Sequence, residues 1–154
     1  CLPILSYSKP DHIWYALKTN RVEVLVENKI SGYMGMELKI DVPYRTKINV
    51  AAIVKPLLDG IVSAFHVHDG SDNIYISSHL AKRLNVEQDL VSGMLLDSNI
   101  AILGKRKLLH RWRKSVQWNP ADELCMAIKI SVNYNMPSDR WQLSGEIFTI
   151  SQKP

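Results

Sequence analysis

The clearest periodic pattern along the chain is an apolar stripe between Asn49 and Phe65. Apolar residues recur there at the i, i+3, i+4 spacing that places side chains on one helical face. The stripe consists of Val50, Ile53, Val54, Leu57, Leu58, Ile61, Val62 and Phe65. Asn49 suits an N-cap. Pro56 has no N–H for a helical hydrogen bond, so the pattern predicts either a kink there or a helix that begins just before it.

Two segments before this stripe alternate charged and apolar residues. Their period of two predicts half-buried strands at 21–26 and 37–42. Turn-forming residues at 31–35 lie between them and favour an antiparallel hairpin. The first twenty residues contain Pro3 and Pro10 and show no clear period, so we expect an irregular lead-in there.

The pattern after the stripe is less regular. It predicts a turn at 70–73, a short helix at 79–84 capped by Ser78, and a helical or irregular stretch at 86–94. Strand-like runs follow at 99–103, 108–117, 124–134 and 141–150. This order predicts a single α+β domain over 1–154, with a mixed sheet and helices packed on one side of it.

Composition sets looser limits. A chain of 154 residues that is 46% hydrophobic and 22% charged is typical of one globular domain. The net charge of +4 and pI near 9.1 are compatible with nucleic-acid binding without requiring it. The two cysteines have no CxxC spacing, which favours a reducing cytoplasmic setting. No run approaches 18 apolar residues, so we expect no membrane span.

The stripe itself resembles the signature of RusA-type Holliday junction resolvases, D-x-D-N-[LIV]-[LIV]-K-P-x-[LIV]-D-[AG]-[LIV]. The matching positions are Ile53, Val54, Lys55, Pro56, Leu58, Asp59 and Gly60. Residues 96–100, Leu-Asp-Ser-Asn-Ile, resemble the family's downstream D-D-[SA]-Q-[VI] turn. The resemblance covers 36–132, with 70–93 as an insertion. It implies a RusA-like fold and a homodimer.

The resemblance also implies a catalytic site that this chain has largely lost. In the family, signature and downstream aspartates hold a divalent metal, and the signature lysine assists at the scissile phosphate. Mg²⁺ prefers such carboxylate oxygens. The corresponding positions here are Asn49, Ala51, Leu96 and Asp97. We therefore expect that metal-dependent endonuclease activity is lost and no cofactor is bound, and that Lys55, Asp59 and Asp97 are the remnant of the catalytic site.

Ordinary interpretations of these residues stay open. Lys55 and Asp59 are spaced i, i+4, as in a simple intrahelical ion pair. Asp97 precedes Ser98-Asn99, where an aspartate commonly forms a turn.

Two further groups are candidates for binding. His66, His68 and Asp69, with Asp72 nearby, could form a transition-metal ligand set, although a polar loop after the helix is the favoured interpretation. Residues 105–114 are rich in lysine and arginine and include a tryptophan, so they suit phosphate contact and base stacking. The candidate residues are Lys105, Arg106, Lys107, Arg111, Trp112, Arg113 and Lys114. The alternative is an exposed basic strand that keeps a sheet edge soluble.

The leading hypothesis is thus a RusA-like domain that binds DNA, branched or recombining by resemblance, without cleaving it. An active Mg²⁺-dependent endonuclease with a rearranged site is one alternative. A protein-interaction module with no nucleic-acid role is another.

Overall fold

The computed structural model describes residues 9–20, 22, 24, 29–137 and 141–151. Its helices are α1 (Pro10–Thr19), α2 (Val50–Ala64), α3 (Asn73–Leu84), α4 (Gln88–Leu96) and a short 3-10 helix (Asp122–Leu124). Its strands are β1 (Met34–Pro43), β2 (Val67–His68), β3 (Lys105–Arg106), β4 (Leu109–Trp112), β5 (Ser115–Trp118), β6 (Cys125–Met136) and β7 (Gln142–Thr149).

The main sheet is mixed, with β1 between a parallel β6 and an antiparallel β7. Alternate side chains of β1, from Met34 to Val42, are buried against α1 and α2. Glu37 and Lys39 point to the opposite, exposed face. This alternation is what a sheet covered on one face produces. It confirms an α+β architecture with a mixed sheet.

Helix α2 begins before its proline and continues through it. Asn49 is the N-cap, and its Oδ1 accepts a hydrogen bond from the Ala52 N–H at 3.3 Å. Pro56 is the seventh residue of the helix, near the end of its second turn. The buried face of α2 includes Leu57 and Ile61, in agreement with the predicted stripe. The alternative in which the helix begins just before Pro56 is therefore wrong.

A second hydrophobic core lies between α3, α4 and the β4–β5 hairpin. It contains Leu80, Leu95 and Leu109, together with Trp14 of α1, whose ring centre is 5.7 Å from that of Trp118. Asp11 of α1 accepts hydrogen bonds from the indole of Trp118 and the guanidinium of Arg83. These contacts fix the hairpin against both α1 and α3.

The N-terminal prediction was wrong where the structure tests it. Residues 10–19 form helix α1 and not an irregular lead-in, because Pro10 occupies the first helical turn, where no N–H is needed. The predicted strand at 21–26 falls largely outside the described residues, so that strand and its hairpin stay predictions.

Three predictions in the second half needed correction. Helix α3 begins at Asn73, well before the predicted start after Ser78. Residues 99–103 form consecutive turns and no strand, with Ala101 N–H donating to the Ser98 carbonyl. The predicted strand at 108–117 is the β4–β5 hairpin. None of the helices in the described ranges has the length and hydrophobicity that a membrane-spanning helix requires.

Candidate functional site

Lys55 lies between two carboxylates on the exposed side of α2. Its Nζ is 2.7 Å from Asp59 Oδ1 and also donates to Asp122 of the 3-10 helix. Burial raises the pKa of Asp59, against the lowering effect of the Lys55 ammonium. Burial lowers the pKa of Lys55, but the hydrogen bonds to Asp122 and Asp59 outweigh this effect, so the pKa of Lys55 is raised. Lys55 is therefore held in an ion-pair network with Asp59 and Asp122, and the sequence analysis had not proposed Asp122 as a site residue.

Asp97 is not part of this network. Its Oδ1 accepts the Asn99 N–H at 3.0 Å, and its carbonyl accepts a hydrogen bond from Lys18 at 3.3 Å. Burial lowers the pKa of Lys18, partly offset by Asp97. Within the described part of the chain, neither a hydrogen bond nor an ion pair joins Asp97 to Lys55 or Asp59. Asp97 therefore forms a turn with Asn99, which is the alternative that the sequence left open for it.

The other signature positions present little polar chemistry. Asn49 uses its side-chain oxygen to cap α2. Ala51 is exposed on the first turn of that helix, and Leu96 is exposed at the end of α4. Of the four positions at which the resemblance expects carboxylates, Asn49, Ala51 and Leu96 therefore supply none, and Asp97 stands alone.

The candidate histidines are buried and hydrogen-bonded within the protein. His66 Nδ1 is 2.8 Å from the Val62 carbonyl, and burial lowers the pKa of His66. His68 Nδ1 accepts the Leu108 N–H, so Nε2 carries the proton and donates to the Ser71 carbonyl. Both ring nitrogens of His68 are therefore occupied.

Asp69 forms a local turn beside these histidines. Its Oδ1 accepts from the hydroxyl and the N–H of Ser71, at 2.6 and 2.9 Å. The Ser71 hydroxyl is the main cause of the lowered pKa of Asp69. Across the residues that the structure covers, no group of three or more His, Cys, Asp or Glu side chains is arranged to hold a metal ion.

The basic segment 105–114 is divided by the fold into paired and unpaired cations. Arg106 lies 3.2 Å from Glu123, and Arg111 lies 2.9 Å from Asp72. The Arg111 guanidinium also stacks 4.2 Å from the centre of the Tyr75 ring. Within this segment, the exposed cations that form no ion pair with the described residues are Lys105, Lys107, Arg113 and Lys114.

Two of these cations form the tip of the β4–β5 hairpin. Arg113 and Lys114 connect the paired residues Trp112 and Ser115, so the loop has two residues. Trp112 is 52% exposed, with His110 packed edge-on against it. The Arg113 guanidinium lies 5.9 Å from the Trp112 ring centre. The tip therefore presents an aromatic surface next to unpaired positive charge.

The backbone of this tip is strained. Arg113 has φ of 53°, and such two-residue loops usually place glycine or asparagine at positive φ. A non-glycine side chain in this left-handed region costs about 1 kcal/mol. Strain of this kind often marks positions that serve a function.

A second turn of similar construction was missed by the sequence analysis. Thr46 N–H donates to the Pro43 carbonyl at 3.1 Å, and Arg45 has φ of 72°. This is the position at which a type II turn normally has glycine. Tyr44, beside it, is 72% exposed. The detectable signal was the run Tyr-Arg-Thr-Lys between a strand and a helix.

Comparison of the chain with models of protein families, with curated proteins and with solved structures found no match.

Proposed function

We propose that this protein binds nucleic acid through the tip of the β4–β5 hairpin and does not cleave it. The observation that carries the proposal is the exposed Trp112 next to the unpaired cations Arg113 and Lys114. Aromatic rings stack on unpaired bases irrespective of sequence, and nearby cations neutralise phosphates. A single-stranded or locally unpaired strand fits this surface best.

Charges near the hairpin support an anionic partner. Lys105 and Lys107 are exposed on and just after β3, which leads into the hairpin. Arg106 and Arg111 are in ion pairs with acidic residues, so they contribute less net positive charge to the surface. The proposed contact set is therefore smaller than the whole basic segment: Lys105, Lys107, Trp112, Arg113 and Lys114.

The loss of cleavage is supported by the side chains at the signature positions. Ala51 has no ligand atom, and the Asn49 side chain caps its helix. Lys55 is held by Asp59 and Asp122, while Asp97 forms a turn. A divalent metal that promotes phosphodiester hydrolysis needs clustered oxygen ligands. We propose that a RusA-like ancestor possessed them and that this chain retains its helix.

That relationship also suggests the class of ligand and the assembly. RusA-type enzymes act on branched DNA, so we propose branched or recombining DNA, with its unpaired bases, as the partner. We also propose a homodimer, which light scattering would measure directly.

Binding is tested by fluorescence anisotropy of a labelled dT20 and of a four-way junction. We expect Trp112→Ala to weaken binding about tenfold, because base stacking contributes roughly 1–3 kcal/mol. Arg113→Ala with Lys114→Ala should lower the salt slope by about 1.4 for single strands, at about 0.7 per phosphate contact. Lys129→Ala is a single-charge control, because Lys129 lies on the outer sheet face, paired with Glu37.

The outcomes separate the alternatives. Absence of salt-dependent binding by the unaltered protein would reject the nucleic-acid proposal and favour a protein-interaction module. Cutting of either DNA with Mg²⁺ or Mn²⁺, abolished by Asp97→Ala, would instead establish an active nuclease with a rearranged site.

A further inference from the structure

Two turns in this protein share an uncommon construction. In each, an exposed aromatic residue is followed directly by an arginine at positive φ: Trp112-Arg113 in the hairpin and Tyr44-Arg45 after β1. A lysine follows in both, directly as Lys114 in the hairpin and after Thr46 as Lys47 in the other turn. One turn follows β1 and the other joins β4 to β5, so the two are far apart in the sequence and do not belong to a repeated element.

Packing does not explain the second turn. Tyr44 is 72% exposed, so little of its ring is buried by the fold. Arg45 and Lys47 are exposed, and neither forms an ion pair within the described ranges. Arg45 also occupies a conformation in which glycine would be unstrained. An apolar ring and two cations are thus presented to solvent at a conformational cost.

We propose that this turn is a second contact for the same nucleic acid, with Tyr44 stacking on an unpaired base and Arg45 and Lys47 at the adjacent phosphates. The chemistry is that of aromatic stacking beside a positively charged track. The complementary partner is an anionic strand with accessible bases. This inference rests on the proposed function, because it assumes that the hairpin binds such a strand.

The two contacts are attached at opposite ends of α2. Residues 44–47 precede its N-cap, Asn49. The hairpin follows Leu108, whose N–H donates to His68 just beyond the C-terminal end of α2. A helix of 15 residues is about 22 Å long. At this separation, we expect the two contacts to contribute nearly additively to the free energy of binding one strand.

Additive contributions from the two contacts can be tested by measuring the binding of labelled dT20 to single and double variants. We expect Tyr44→Ala to weaken binding at least about fivefold, and Tyr44→Phe to retain most of the affinity because the ring is kept. The double variant Tyr44→Ala with Trp112→Ala should show the product of the two single effects. Tyr134→Ala is the matched control, because Tyr134 is an exposed tyrosine on β6, outside both turns.

A second measurement does not depend on affinity. Photocrosslinking of an oligonucleotide that carries 5-iodouracil, followed by peptide mass spectrometry, should give adducts at both Tyr44 and Trp112. Adducts and affinity loss at Trp112 but not at Tyr44 would overturn this inference and leave the proposed function intact. Lack of dT20 binding by the unaltered protein would overturn both.

Discussion

The guanidinium of Arg111 lies 4.2 Å from the centre of the Tyr75 ring and connects the β4–β5 hairpin to helix α3. Its Nη2 is also 2.9 Å from Asp72. Arg113, only two positions further on, is exposed and has no ion pair among the residues described. Neighbouring cations in one basic segment therefore differ in their contacts.

Replacement of Arg111 and of Arg113 should separate stability from binding. Arg111→Ala removes an exposed cation–π contact and an exposed ion pair, so we expect about 1 kcal/mol lower stability in urea unfolding. For Arg111→Ala, the dependence of DNA affinity on salt concentration, the salt slope, should stay unchanged. Arg113→Ala should lower that slope by about 0.7. An equal change in slope for both would show that Arg111 leaves Tyr75 when DNA binds.

The strained tip predicts a variant that is more stable and binds less well. Arg113→Gly relieves the left-handed conformation, so we expect stability to rise by up to about 0.5 kcal/mol after allowing for the greater freedom of unfolded glycine. Affinity for dT20 should fall, because the proposed phosphate contact is lost. Thermal unfolding and anisotropy on one preparation measure both. A loss of stability would mean that the Arg113 side chain holds the hairpin together.

Close contact of α1 with α2 predicts opposite effects for two helical glycines. A Cβ at Gly60 would lie 2.6 Å from Ile13 Cβ and 3.0 Å from the Pro10 carbonyl oxygen. Gly60→Ala should therefore destabilise the protein by about 1–3 kcal/mol. A Cβ at Gly93 on α4 meets no atom within 4 Å. Gly93→Ala should stabilise by about 1 kcal/mol, because alanine favours helix.

The two glycine variants control for one another in denaturant unfolding. Equal stabilisation by both alanines would show that α1 can move away from α2 without cost.

Burial of His66 predicts a loss of stability in mild acid. Burial lowers the folded-state pKa of His66 below its ordinary value of 6.5, so the unfolded chain binds the proton more tightly. This contribution to stability is complete above about pH 6.5 and is lost as pH falls towards the folded-state pKa.

Urea unfolding at pH 7.5 and 5.5 measures this dependence. His66→Asn should reduce it, because the amide can still donate to the Val62 carbonyl but does not titrate in this range. His110→Asn, on the hairpin, is the control. Unchanged pH dependence in His66→Asn would assign the effect to another group.

Sequence periodicity predicted the elements whose side chains repeat against a single buried face. The apolar stripe of α2 and the alternation of β1 are local consequences of helical and strand geometry, so they needed no tertiary information. The split of residues 108–117 was not predicted, because the turn at Arg113 and Lys114 has neither glycine nor asparagine. The start of α3 was also missed, because its N-cap, Asp72, makes no side-chain capping hydrogen bond.

What the chain can present to a partner was decided by tertiary structure. The sequence listed the basic residues of 105–114, but ion pairs with Asp72 and Glu123, distant along the chain, separate Arg111 and Arg106 from the unpaired cations. The i, i+4 spacing of Lys55 and Asp59 predicted their ion pair, but only the fold places Asp122 next to Lys55. Pairing of charges depends on distances across the folded chain, whereas the local pattern reports only which face a residue occupies.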